Sequence, residues 1–261
     1  MNLPLPAKKS LGQHWLKDNA SLRAIGNAAE LKPNDTVLEI GPGHGSLTKL
    51  LLEAAEKVIA VELDNKLAAM LKNKFISENL DVINEDILKF NLNDLPSKYK
   101  LVANIPYYLT NNLLRVLSES KNPPKLAVLL VQKEVAERVA AVPGQMSLLG
   151  VSVQFYWEVA LGAVVPKELF EPVPKIDSQV IILKRRNGLL YSDISPKAFF
   201  TVVRSGFSQK RKTLLNSLSA GLRLDKNAVN EACKSVDIDP KRRPQTLSLE
   251  EWHNLALSLN T

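Results

Sequence analysis

Asn104-Ile105-Pro106-Tyr107 places a primary amide, a proline and an aromatic ring directly after the apolar run Leu101-Val102-Ala103. These residue types are suited to holding a flat, amine-bearing ring against a reactive centre. The Asn104 amide oxygen and a nearby backbone carbonyl, of Ile105 or Pro106, can accept hydrogen bonds from an exocyclic NH2. Proline fixes the backbone, so that carbonyl points one way. Tyr107 supplies a stacking face. A strand followed by an Asn-Pro-type turn explains the same four residues without any chemistry. The rest of the chain has to decide between the two.

Glu39-Ile40-Gly41-Pro42-Gly43-His44-Gly45 joins an apolar run to a helical pattern. Glycines there let backbone amides approach a ligand closely. A nicotinamide-cofactor fingerprint needs glycine or alanine at position 46, where this chain has Ser46. An acid ahead of the loop and glycines at alternate positions match the cofactor loop of S-adenosylmethionine methyltransferases better. Glu62 ends the next apolar run, 21 residues after Gly41. A carboxylate there can accept both ribose hydroxyls. Asp86 ends the third run and can accept from an adenine amino group. Either acid alone is equally an ordinary solvated carboxylate. The ordered set, followed by Asn104 after a fourth run, carries the reading.

The elements that must position these residues follow from periodicity. Residues 36–40, 57–62, 81–84, 99–103 and 126–131 read as buried strands, with 152–160 and 179–184 as later ones. Helical patterns start near Ser46 and cover 65–75. Alternating strands and helices predict a doubly wound α/β sheet with ligands beyond the carboxyl ends of the strands. After Asn187-Gly188 the pattern changes to helices only, at 196–207, 212–218, 227–234 and 248–259. A domain boundary is therefore expected near residue 187. Residues 1–187 would form the catalytic domain and residues 188–261 a smaller all-α domain.

A hydrophobic fraction of 45% over 261 residues supports a sizeable core. No run approaches the roughly 18 apolar residues of a membrane span, and the amino terminus lacks the apolar core of a secretory signal. Cys233 is the single cysteine, which excludes an internal disulfide framework and a multi-cysteine zinc site. His14, His44 and His253 show no metal-ligand spacing. A cytoplasmic location is expected. The net charge of +7 favours a polyanionic partner. Residues 187–261 hold 11 Lys/Arg against 7 Asp/Glu, a net +4. Clusters at Lys184-Arg185-Arg186, Lys210-Arg211-Lys212 and Lys241-Arg242-Arg243 read as nucleic-acid contacts or as plain solvated charge.

Several motifs together resemble one family. Residues 7–16 (Ala-Lys-Lys-Ser-Leu-Gly-Gln-His-Trp-Leu), Glu39–Gly45, Asn104–Tyr107 and the Phe170–Ser178 segment are similar to those of ribosomal RNA adenine N6-dimethyltransferases. Residues 207–214 and 239–249 resemble its bacterial small-subunit branch (KsgA/RsmA). The resemblance runs from about residue 7 to the carboxy terminus. The chain departs from the usual pattern with Trp15 where phenylalanine is common, and with Lys210-Arg211 where two arginines are common.

The resemblance implies a Rossmann-like class I methyltransferase sheet with S-adenosylmethionine as cofactor. It implies dimethylation of two adjacent adenosines near the 3′ end of 16S rRNA, within an immature small ribosomal subunit, by a monomer. His14 and Leu16 would lie at the cofactor's edge, Gly41 and Gly43 at its methionine part, Glu62 at its ribose and Asp86 at its adenine. Asn104 would contact both the cofactor's methionine end and the target amine, with Pro106 beside it in the catalytic motif, and Tyr107 and Phe170 would sandwich the base. Lys8, Lys9, Lys210, Arg211 and Lys212 would contact RNA. Three alternatives stay open at the level of sequence. They are an Erm-type enzyme acting on large-subunit rRNA, an RNA-binding factor on a methyltransferase fold, and a DNA adenine methyltransferase.

Overall fold

The computed structural model describes residues 5–8, 11–209 and 211–259. Contacts divide the chain into two units. One takes the residues up to Ala136 together with Glu158–Arg185, and the other takes Glu137–Trp157 together with Arg186 onward.

The first unit is built on strands β1 (Trp15–Leu16), β2 (Thr36–Ile40), β3 (Lys57–Glu62), β4 (Leu80–Asn84), β5 (Lys100–Asn104), β6 (Leu126–Gln132), β7 (Trp157–Val165), β8 (Phe170–Glu171) and β9 (Ser178–Arg185). Helices α1 (Asn19–Ala28), α2 (Ser46–Ala54), α3 (Asn65–Lys74) and α4 (Thr110–Glu119) connect them. Helix α5 (Lys133–Val139) leads from β6 into the second unit. The main sheet has the order β4-β3-β2-β5-β6-β9-β7. Pairs β4-β3, β3-β2, β2-β5 and β5-β6 are parallel, and β6-β9 is antiparallel.

The central strands explain the architecture. β6 is buried along Ala127–Val131, as a strand covered on both faces must be. From β2 the chain moves outward to β3 and β4, then returns to place β5 on the other side of β2. The crevice between the carboxyl ends of β2 and β5 is thus the switch point at which open α/β sheets bind ligands. Gly41 follows β2 there and Asn104 ends β5.

Gly45 sits at the amino end of α2 with φ +78°. A β-carbon on it would lie 2.5 Å from Phe75 Cε2 and 2.8 Å from Leu71 Cδ2. Left-handed backbone and overpacking add for any larger residue. Gly45→Ala is expected to lower stability by about 2–4 kcal/mol. An unshifted denaturant midpoint would show that α3 yields without cost.

The second unit is helical: α6 (Leu148–Tyr156), α7 (Pro196–Phe207), α8 (Leu214–Leu222), α9 (Lys226–Ser235) and α10 (Leu249–Leu259). Phe155, Phe199 and Trp252 anchor its core. Gly206 lets the Trp252 ring lie against α7, since a β-carbon there would approach Cη2 to 2.4 Å.

Two sequence expectations differ from these elements. Residues 152–156 are helical rather than extended. Ser147 accepts a hydrogen bond from the Gly150 amide (3.1 Å) and starts α6, so the strand begins only at Trp157. In addition, Glu137–Trp157 groups with the carboxy-terminal helices, because Val151 and Phe155 pack into their core. Among the described residues no helix is long and apolar enough to cross a membrane.

Candidate active site

The turn after β2 holds three glycines with positive φ: Gly41 (+63°), Gly43 (+57°) and Gly45. Their backbone meets the carboxylate that ends β3. Glu62 Oε2 accepts from the Gly43 amide (3.2 Å) and Oε1 accepts from the Asp64 amide (2.9 Å). Each oxygen keeps a second lone pair, which is what two ribose hydroxyls require. Burial pushes the Glu62 carboxyl up, and the amides of Asp64 and Gly43 work against that. Asp86, after β4, accepts from the Leu88 amide (3.0 Å), a local turn that fixes the carboxylate at the cleft wall.

Two clefts meet at the switch point and share Trp15, Gly41 and Asn104. One is lined by Gln13, Glu62, Asp86 and Tyr108. The other is lined by Leu16, Glu39, His44 and Ser46. Glu39, 1% exposed, has a buried Oε2 with no hydrogen-bond partner, and His44 Nε2 is likewise unpartnered. Both residues belong to the wall of the second cleft, with these atoms turned away from its open space. Together the two clefts form one extended groove across the switch point, with carboxylates on its walls.

Burial raises the Glu39 carboxyl to about 8, with Thr48 opposing and Glu62 adding to the rise. A raised carboxyl means that the folded chain keeps a proton the unfolded chain releases. Stability linked to Glu39 is full below the unfolded value near 4.5 and falls as pH rises toward 8. Glu39→Gln is expected to gain stability over the parent chain between pH 5 and 8, by roughly 1–4 kcal/mol. Parallel stability–pH curves for the two proteins would contradict this.

The amino-terminal segment covers both clefts. β1 pairs antiparallel with β8, Trp15 opposite Glu171 and Leu16 opposite Phe170. The Lys17 amide donates to the Leu169 carbonyl (3.0 Å), and Lys17 forms an ion pair with Glu171. His14 Nδ1 donates to the Pro172 carbonyl (2.7 Å). Trp15 meets His44 edge-on at 4.1 Å. The Lys8 ammonium lies 2.6 Å from Asp64 Oδ2. Lys8, expected on RNA, is therefore engaged beside Glu62. Asp64 is a buried carboxylate that also caps α3, and it draws the flexible lysine stem inward.

Asn104 closes the crevice. Its Nδ2 donates to the His14 carbonyl (3.4 Å), which leaves Oδ1 as the acceptor for a ligand amine. The Pro106 carbonyl accepts from the Leu109 amide (3.0 Å), so a short 3₁₀ turn, Tyr107–Leu109, starts there. The Tyr107 hydroxyl is paired with Ser178 Oγ (2.8 Å), which fixes the ring. These residues place an amine acceptor, an aromatic ring and a cleft lined by two carboxylates around one point.

A model of the ribosomal RNA adenine dimethylase family matches residues 5–261. The chain belongs to that family. Among its relatives is the "Ribosomal RNA small subunit methyltransferase A" of Dehalococcoides mccartyi strain CBDB1, 45% identical over 257 residues, which are 97% of this chain and 88% of the relative. The protein of the same name from Clostridioides difficile strain 630 is 39% identical over 97% of this chain and 91% of its own. The crystal structure of a dimethyladenosine transferase from Plasmodium falciparum superposes with a TM-score of 0.79 at 28% identity, covering 94% of this chain and 97% of that one. The 23S rRNA methyltransferase ErmE gives 0.76 at 28% identity, over 95% and 100%. The fold is the Rossmann-like class I methyltransferase sheet with a helical carboxy-terminal part.

In this dimethylase the ring partner of Tyr107 is His14, stacked at 5.8 Å and 21°. Phe170, expected across the base from Tyr107, is 3% exposed and packs in the core with Leu16, Leu22 and Val180. Its pairing opposite Leu16 in the β1-β8 ribbon turns it inward. Leu16 is buried in the same core while also lining the second cleft. Arg211 and Lys212 are exposed in the turn between α7 and α8. Lys9 and Lys210 lie outside the described residues. Tyr108 and Glu39 line the clefts without having been singled out as site residues. Tyr108 is signalled only by following Tyr107, and Glu39 only by preceding the glycine loop.

Proposed function

We propose that this chain transfers methyl groups from S-adenosylmethionine to N6 of two adjacent adenosines near the 3′ end of 16S rRNA, dimethylating each. The observation that carries the reading is Asn104, at the switch point, with Oδ1 left as the acceptor beside the adenosine cleft. Glu62 holds the cofactor ribose, Asp86 its adenine, and the Gly41–Gly43 backbone with Glu39 its amino-acid end. When bound, S-adenosylmethionine supplies an electrophilic methyl group on a sulfonium.

The chain's own residues do the rest by positioning. Adenine N6 is a poor nucleophile because its lone pair is delocalised into the ring. In the first transfer, Asn104 Oδ1 and a backbone carbonyl, of Ile105 or Pro106, accept its two N–H bonds and favour a more tetrahedral nitrogen. Orienting that nitrogen in line with the methyl can account for a large part of the rate. Tyr107, tied to Ser178, supports the face of the unstacked base and offsets the few kcal/mol of unstacking.

Names of relatives at 39–45% identity support the small subunit as the source of the RNA. We place the reaction in the cytoplasm on an immature small subunit, with the enzyme acting as a monomer and the α7–α8 turn contacting phosphates. Labelled methyl offered to small and large subunits separately tests the choice. Labelling of the small subunit alone is expected; labelling of the large subunit alone supports the Erm-type reading instead. Joint replacement of Arg211 and Lys212 by alanine is expected to reduce the salt slope of RNA binding by roughly 1 to 2. An unchanged slope returns both residues to plain surface charge.

A further inference from the structure

The 3₁₀ turn after Pro106 carries two adjacent tyrosines that face different partners. Tyr107 points to Ser178 and His14. Tyr108 lines the adenosine cleft with Glu62 and Asp86. A β-carbon on Gly12 would lie 3.3 Å from Tyr108 Cδ1 and 3.5 Å from its Cε1, so the ring packs on the Gly12 turn. Gly12 has φ +58°, a conformation that favours glycine. Yet Tyr108 is 59% exposed. An aromatic ring held at a cleft wall with most of its surface in water gains by covering a flat ligand.

We propose that Tyr108 is a further cofactor-binding residue, whose ring covers the adenosine part of S-adenosylmethionine between Glu62 and Asp86 and closes the cleft against Gly12. The inference rests on the cofactor reading given above. Burial pushes the Tyr108 phenol up, and Asp86 and Glu62 add to the rise, which agrees with a ring near both carboxylates. Because Tyr107 and Tyr108 share one short turn, a ring fixed on the cofactor also fixes the ring that receives the target base. The exposed position makes substitution tolerable for the fold.

Calorimetry with S-adenosylhomocysteine on the full chain, Tyr108→Ala and Tyr108→Phe tests this. Alanine is expected to weaken binding roughly 10- to 100-fold, as removal of a base-stacking ring does. Phenylalanine should bind within about threefold of the parent chain, since the ring and not the hydroxyl makes the contact. In turnover assays alanine should raise KM for the cofactor, and phenylalanine should restore it to near the parent value. Unchanged binding in Tyr108→Ala overturns the inference, and so does a phenylalanine variant as weak as alanine. If the parent chain itself does not bind S-adenosylhomocysteine, the cofactor reading fails, and this inference with it.

Discussion

Asn104→Ala is expected to cut single-turnover methyl transfer by roughly 10²–10³-fold, the range for loss of one preorganised polar group at a reacting centre. The side chain is held from one side only. Nδ2 donates to the His14 carbonyl, so Oδ1 is presented to the amine without a search among rotamers. Alanine removes that acceptor and also the tie to the amino-terminal segment. No other side-chain acceptor except the Tyr107 hydroxyl, already paired with Ser178, lies within the Asn104–Tyr107 motif, so nothing beside it can substitute. Asn104→Asp separates the two roles. It restores an acceptor but loses the donor to His14, so it should recover part of the rate. Transfer by Asn104→Ala within tenfold of the parent would remove Asn104 from the chemistry.

Glu62→Gln is expected to weaken S-adenosylhomocysteine binding by about 10²-fold. Both carboxylate oxygens already accept backbone amides, from Gly43 and Asp64. Glutamine must turn its NH2 toward one of these donors, which leaves a buried amide unpaired, at about 1–3 kcal/mol. It also loses charge-assisted bonds to the ribose. A pH signature accompanies the loss. Burial raises the Glu62 carboxyl, and hydroxyl donors favour its ionised form. Cofactor affinity should therefore fall as pH drops through that raised value, and the fall should vanish in Glu62→Gln. A pH-independent affinity in the parent chain, or equal affinity in the two proteins, would contradict the role.

Much of this site was legible because it lies where periodicity is strongest. β2, β3 and β6 are short apolar runs ended by turn or polar residues, and Gly41, Glu62 and Gln132 stand at their carboxyl ends. Once the strand order is known, Glu62, Asp86 and Asn104 converge on one crevice. Where the structure departs from the sequence reading or adds contacts to it, the causes are local. Residues 152–156 mix β-branched and aromatic types, which suit a strand, yet the Ser147 cap commits them to α6. Phe170 is an aromatic in a motif associated with the base, but a two-residue pairing with β1 turns it into the core. No sequence period reports so short a ribbon. Lys8 reads as part of a basic terminus, and only the buried Asp64, 56 positions away, gives it another partner. Tyr108 reads as a repeat of Tyr107, and only the turn geometry shows that the two rings face different ways.

Asn104 and the surrounding clefts are assigned here to methylation of adenosine N6 in small-subunit rRNA, twice on each of two neighbours. Mass spectrometry of nucleosides reads that outcome without an intermediary. The substrate is unmodified 16S rRNA in immature small subunits, incubated with the chain and S-adenosylmethionine. Two N6,N6-dimethyladenosines per rRNA are expected with the parent chain, formed roughly 10²–10³-fold more slowly with Asn104→Ala. Methylation confined to another base, or dimethyladenosine made equally well by Asn104→Ala, would contradict the assignment.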